Sequence, residues 1–376
     1  MVKLPIDAVE LTRQLVQFNT INPPGNEQLC AEHLGVILTQ SGFDVSYHDF
    51  GPGRTSLVAR IGGDEDRAPL CFTGHIDTVA LGHKEWTVEP FAADTAGGKL
   101  FGRGSSDMKS GVAAFVAAVT SMVPALEKGA GVILVITAGE ETGCEGAFHL
   151  AGLGSVLGSA GAIVVAEPTS NYPFVGHKGA LWLKVYTEGV SAHGSMPELG
   201  VNALYKASRA VSKLEDFDFN VARHDVMGGP TLNVGTLQSG LNVNSVPDYA
   251  EIGVDVRTIP GQTNAEVETH LATYLGEDVT VESIVNVEGV WSNPSHDWIQ
   301  EVFSLMETFL GEKITSQTAS YFTDASALTP AFGGVPTVIL GPGEASMAHQ
   351  TDEYCYVDRI EQAVEVYRRM VESWSL

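Results

Sequence analysis

The run Val132-Ile133-Leu134-Val135-Ile136-Thr137 is followed at once by Ala138-Gly139-Glu140-Glu141-Thr142-Gly143, and this stretch decides the fold. An almost unbroken apolar run of this length marks a strand buried on both faces, as in a parallel sheet. Two acids stand where it stops. Working outward, residues 56–61, 70–73, 162–166 and 336–340 read as further strands. Helical stretches separate them at 6–18, 27–40 and 111–122, with Gly42 and Pro124 as stop signals. This alternation predicts an α/β layer fold.

The middle of the chain has another rhythm. Residues 181–187 alternate apolar and polar, a helix follows at 202–214, and strands follow at 231–237 and 250–257. A helix at 265–275 and a strand at 279–287 complete a β-α-β-β-α-β order, the signature of one sheet with two helices. The expected organisation is therefore a domain of residues 1–176 and 291–376, interrupted by an inserted domain at 177–290. A helix at 298–310 and a last helix at 360–372 belong to the first.

Composition bounds the function. The 376 residues are 44% hydrophobic and 18% charged, the balance of a folded chain of two domains. A formal net charge of −25 opposes binding to nucleic acid or to an anionic membrane. No apolar run approaches the roughly 18 residues of a membrane helix. The opening residues lack the apolar core of a secretory signal and read as an amphipathic helix. Cys30, Cys71, Cys144 and Cys355 form no CxxC pair, which argues against thiolate zinc and a disulfide framework. A cytoplasmic location is expected.

The chemistry stands at strand ends, where open α/β sheets bind ligands. His75 and Asp77 follow 70–73, Glu140 and Glu141 follow 132–137, and Glu167 follows 162–166. Asp107 opens the helix at 111–122, and His349 comes soon after 336–340. Any one of these alone reads as an ordinary loop residue. Together, on neighbouring parallel strands, they would crowd several carboxylates into one patch, and divalent cations relieve that repulsion. Imidazole plus carboxylate without thiolate suits zinc, and cobalt or manganese less well. The simplest assignment makes Asp107 a bridge between two ions, with His75 and Glu167 on one and Glu141 and His349 on the other. Asp77 would orient the His75 ring. Of the adjacent Glu140 and Glu141, one would ligate and the other act as general base; spacing does not fix which. The chain has no GxxxxGK[ST], no HExxH and no GxSxG, and its GRG and GPG stretches lack the third glycine of a dinucleotide fingerprint.

The stretches GHIDTV, GRGSSDMKSG, GEETG, AEPTS and AHQTDEY, in this order, closely resemble the co-catalytic dizinc amidohydrolases and exopeptidases. That family includes acetylornithine deacetylase, succinyl-diaminopimelate desuccinylase, glutamate carboxypeptidase and aminoacylase. The resemblance implies a catalytic domain with a mixed, mostly parallel sheet and an inserted α+β lid and dimerisation domain. It implies two zinc ions on His75, Asp107, Glu141, Glu167 and His349, with Asp107 bridging. It assigns the general base to Glu140, the orienting acid to Asp77, and a cis peptide to Asp107–Met108. In the inserted domain it matches His193 to an oxyanion donor reaching a partner subunit's site. There it also matches Arg257 to a ligand of the substrate α-carboxylate and Asn244 to a lid residue near the oxyanion. Gly341 and Gly343 would offer N–H groups to the same carboxylate. The stretch Tyr321-Phe322-Thr323-Asp324-Ala325 looks more like acetylornithine deacetylase than like the desuccinylase, with Asp324 expected to attract a basic substrate side chain. The implied activity is hydrolysis of an N-acyl amino acid by a homodimer, with the desuccinylase, dipeptidase and carboxypeptidase activities as alternatives.

Overall fold

The computed structural model describes residues 5–63 and 67–375, so residues 1–4 of the amphipathic start lie outside them. Within this range the first helix runs Ala8–Val16, and the Asp7 carboxylate caps it by accepting from the amides of Val9 and Glu10.

The chain forms two compact units. One comprises the described residues of Met1–Gly176, Trp291–Gln317 and Thr323–Leu376; the other comprises His177–Val290 and Thr318–Phe322. The short segment Thr318–Phe322 thus departs from the first domain as read from sequence.

In the first unit, Val132–Thr137 and Leu70–His75 lie parallel, with Leu70 opposite Val132 and His75 opposite Thr137. Leu70–His75 also runs parallel to Ala162–Val165, which runs parallel to Thr337–Ile339. Arg54–Ile61 adds to Val132–Thr137 antiparallel, and Asp44–Gly51 pairs antiparallel with it in turn. On the other side Phe174–His177 joins Thr337–Ile339 antiparallel. Four parallel strands therefore sit at the middle and bring their carboxyl ends to one edge. Every residue of Leu70–His75 and Val132–Thr137 is buried, which explains their near-continuous apolar sequences.

The helix Ser110–Thr120 is buried at every residue but the last. Gly111 is obligatory in it, because a Cβ there would stand 2.1 Å from the Ala166 carbonyl oxygen. The helix thereby presses directly on the chain just past Ala162–Val165. Phe72 anchors the core between Phe115 and Tyr367, with ring centroids at 5.9 and 5.3 Å. The Tyr367 hydroxyl, carried on the helix Val357–Ser375, donates to the Leu340 carbonyl at 2.6 Å. Burying one such aromatic side chain contributes about 1.5–3 kcal/mol.

The second unit is a four-stranded antiparallel sheet in the order Thr231–Ser239, Tyr249–Arg257, Ala180–Glu188, Thr280–Val287. The helices Ala203–Glu215 and Asn264–Leu275 contribute Ala207, Ala210 and Leu271 to its core beside Leu183, Ile252 and Val254. Asn202 caps the first helix, and a Thr263–Glu266 capping box starts the second.

Candidate metal centre

Each predicted ligand in the first unit is delivered by a strand end or by a loop packed against one. His75 closes its strand with 1% of its surface exposed. Its Nε2 lies 3.2 Å from Asp107 Oδ1, 3.7 Å from Glu167 Oε1 and 3.9 Å from Glu140 Oε2. Its Nδ1 faces Asp77, at 3.0 Å from the carbonyl oxygen and 3.4 Å from Oδ1. On the far side, His349 Nε2 lies 3.3 Å from Asp107 Oδ2 and 3.0 Å from Glu141 Oε2. Asp107 thus offers one oxygen to each imidazole. The Asp107–Met108 peptide is cis.

Glu140 and Glu141 diverge because the chain turns sharply after Val132–Thr137. Gly139 takes φ +79° there, a conformation that suits glycine, and a Cβ would meet Arg54 Nη2 at 2.6 Å. The turn is held from beneath by Asp77. Its Oδ1 accepts the Glu140 amide at 3.1 Å, and its Oδ2 accepts the Glu141 amide at 3.2 Å and Asn22 Nδ2 at 3.0 Å. Asp77 therefore fixes the backbone of both glutamates as well as facing the His75 ring. Asn22 also donates to Thr142 Oγ1 at 2.9 Å. Sequence reading missed Asn22, because its loop is 55 residues away from Asp77 along the chain.

Among the described residues, the ion pairs of Asp107, Glu140, Glu141 and Glu167 are all with His75 or His349. Burial alone would lower the His75 pKa, but Asp107, Asp77, Glu167 and Glu140 together raise it well above the usual histidine range. The hydrogen bonds with Asp107 and Glu141 raise His349 to about 10. Burial opposes ionisation of Asp107, and the two imidazoles outweigh it, holding that carboxyl below its ordinary value. Burial, then the charges of Glu167, Glu141 and Asp324, push Glu140 well up.

The donor set fits divalent ions. His75, Asp107 and Glu141 offer ligand atoms within 4.8 Å of one another, and so do His75, Glu140 and Glu167. Glu141 Oε1 is buried without a hydrogen-bond partner among the described residues, as expected of an oxygen shaped for a cation. The nitrogen and oxygen donors suit zinc, cobalt or manganese. The nearby Cys144 thiol, 3.9 Å from Glu140 Oε1, is held in the protonated form by burial.

Asp324 has 1% exposure and accepts the Thr137 hydroxyl, and its charge acts on Glu140 and Glu167. Burial raises its pKa to about 6. One expected substrate contact, that of Gly341, needs correction. Gly341 does not offer its N–H, which donates to Thr169 Oγ1 at 3.1 Å. Gly341 and Gly343 are glycines for a packing reason: a Cβ would meet the Ala166 and Ser106 carbonyl oxygens, each at 2.1 Å.

In the second unit His193 is exposed, and its Nδ1 accepts the Ser195 amide at 3.2 Å. His193 and Asn244 are brought together, since Gly194 donates to the Asn244 carbonyl at 2.7 Å and His193 pairs with Ser245. Arg257 is partly buried and binds Asp255, with Nε 2.9 Å from Oδ1.

Comparison with known proteins agrees with this geometry. The pattern of peptidase family M20/M25/M40 matches residues 71–373. A probable succinyl-diaminopimelate desuccinylase of Staphylococcus epidermidis is 31% identical over 98% of this chain and 98% of its own. An acetylornithine deacetylase of Proteus mirabilis is 29% identical, covering 100% of this chain and 98% of its own. An M20 family metallo-carboxypeptidase from Sulfolobus solfataricus shares the fold at 16% identity, with a TM-score of 0.82 over 98% of this chain and 99% of that one. A strand-end cluster of two imidazoles and four acids, on a chain matched over nearly its whole length, makes this protein a metallohydrolase of peptidase family M20/M25/M40.

Proposed function

We propose that the protein hydrolyses the amide bond of an N-acyl amino acid, with acetylornithine-type substrates preferred, using two zinc ions. Cobalt or manganese would substitute. The observation that carries this reading is Asp107, with one oxygen toward His75 and the other toward His349. His75 and Glu167 would hold one ion, Glu141 and His349 the other, and Asp107 both. Bound there, the ions supply Lewis acidity and lower the pKa of a coordinated water to about 7. Glu140 accepts a proton from the attacking water as oxygen adds to the acyl carbon. It returns that proton to the amine nitrogen as the C–N bond breaks, giving a carboxylate and a free amino acid. The buried Asp77 keeps Glu140 aimed by holding its amide.

In the same reading residues 177–290 form the lid and dimerisation domain, and His193 acts in a partner's site as oxyanion donor. Its Nδ1 is an acceptor, which leaves the ring proton on Nε2 for that task. Asn244 adjoins it, and Arg257 would exchange Asp255 for the substrate α-carboxylate. Gly343 remains a candidate N–H donor to that carboxylate. Four free, buried cysteines fit a reducing, cytoplasmic compartment, and no helix among the described residues is long and apolar enough to cross a membrane. The relative at 31% identity favours a second reading, desuccinylation of succinyl-diaminopimelate.

A panel of N-acetylornithine, N-succinyl-diaminopimelate, N-acetylmethionine and a glutamyl dipeptide, offered to zinc- and cobalt-loaded protein, tests the proposal. N-acetylornithine should be hydrolysed fastest. Faster turnover of the succinyl compound selects the second reading, and preference for the dipeptide contradicts both.

A further inference from the structure

Glu353 is among the buried acids to which the mechanism gives no task. Glu353 is wholly buried, and its carboxylate accepts four hydrogen bonds. Oε1 takes the amides of Ser106 at 2.8 Å and Asp107 at 3.0 Å. Oε2 takes the Gly104 amide at 2.9 Å and Arg103 Nη1 at 2.7 Å. The Glu353 carbonyl accepts the Gly102 amide at 2.9 Å, and the Ser106 hydroxyl reaches the Tyr354 carbonyl at 2.7 Å. A single side chain thus gathers the amides of Gly104, Ser106 and Asp107 and a buried guanidinium, and it does so four residues after His349.

We infer that Glu353 is a positioning residue that preorganises the Asp107–His349 half of the metal centre. The inference rests on the two-ion reading above. Its physical basis is an asymmetry between the two proposed ion positions. His75 belongs to a central strand and Glu167 follows one directly, so their backbones are fixed by the sheet. Asp107 and His349 stand on segments outside the central sheet, and His349 has a left-handed backbone, with φ +63°. Glu353 ties these two segments together, and its charge-assisted bonds are of the strong kind. A neutral amide there can accept from only two of the four donors and turns its own NH2 toward the rest.

The test uses the full chain stripped of metal and titrated with zinc by calorimetry, wild type beside Glu353→Gln. The metal-free proteins are compared by circular dichroism. Wild type should take two ions. Because Asp107 would hold both ions, Glu353→Gln should weaken both, and the larger loss, about 10–100-fold, should fall on the ion of the Glu141–His349 position, the usual effect of losing a ligand's supporting partner. Because Glu353→Gln strands the buried Arg103, the double variant Arg103→Gln/Glu353→Gln serves if the single one fails to fold, and it should show the same unequal loss. Equal weakening of both ions, or of neither, overturns the inference. A wild-type protein that takes only one ion overturns the two-ion reading and, with it, this one.

Discussion

Two histidines of this chain are the last residues of strands, both fully or almost fully buried, and they have opposite chemistry. His75 ends Leu70–His75 with Asp77, Asp107, Glu140 and Glu167 around it, and those acids raise its pKa well above the usual range. His177 ends Phe174–His177, its ring bonds only the Lys178 carbonyl among the described residues, through Nδ1, and burial lowers its pKa to about 4. The contrast teaches that burial alone makes a neutral core histidine. Burial among several acids whose ion pairs, among the described residues, are with histidines alone suits a cation site.

The largest effect expected is at the acid region. Glu140→Gln should lower kcat by about 10²–10⁴ while zinc content per chain stays at the wild-type level. A parallel loss of metal would make Glu140 a ligand and redraw the cluster around His75.

A smaller effect should mark the other histidine. His177 is neutral in the folded protein down to about pH 4, whereas an unfolded His protonates near 6.5. Its contribution is therefore neutral at high pH, and it destabilises the fold progressively as pH falls from about 6.5 to 4. The loss is on the order of 3 kcal/mol at the acid end. In metal-free protein, His177→Met should remove this part of the acid sensitivity in denaturant melts at pH 7 and pH 4. Parallel pH profiles for variant and wild type would deny the contrast.

Next comes Asp77→Ala, which should weaken metal affinity about 10–100-fold, as is usual for the partner of a ligating histidine. Asn22→Ala, one step further out, should cost less than Asp77→Ala in the same calorimetric titration. The reverse order would mean that Asn22 acts on the site by another route.

Much of this was legible in the sequence, for a physical reason. Strands buried on both faces must be apolar throughout, so Val132–Thr137 and Ala162–Val165 announced themselves, and polar residues just beyond them had to lie at the sheet's edge. Elements without such a pattern were missed. Asp44–Gly51 lies at the sheet margin and mixes Asp44, Ser46, His48 and Asp49 with its few apolar residues, and Glu145–Gly152 is a two-turn helix carrying two glycines. The support layer was equally hidden. Nothing local distinguishes Glu353 from the neighbouring Asp352, yet one gathers four buried donors and the other binds the Thr87 amide and hydroxyl at an exposed loop. The contact of Asp324 with the Thr137 hydroxyl was hidden in the same way.

The central claim is that Asp107 stands between two cations, and anomalous diffraction at the zinc edge from a zinc-loaded crystal tests it most directly. Two peaks about 3.5–4 Å apart are expected, one beside His75 and Glu167 and the other beside Glu141 and His349, with Asp107 touching both. A single peak enclosed by His75, Glu140 and Glu167 would contradict it.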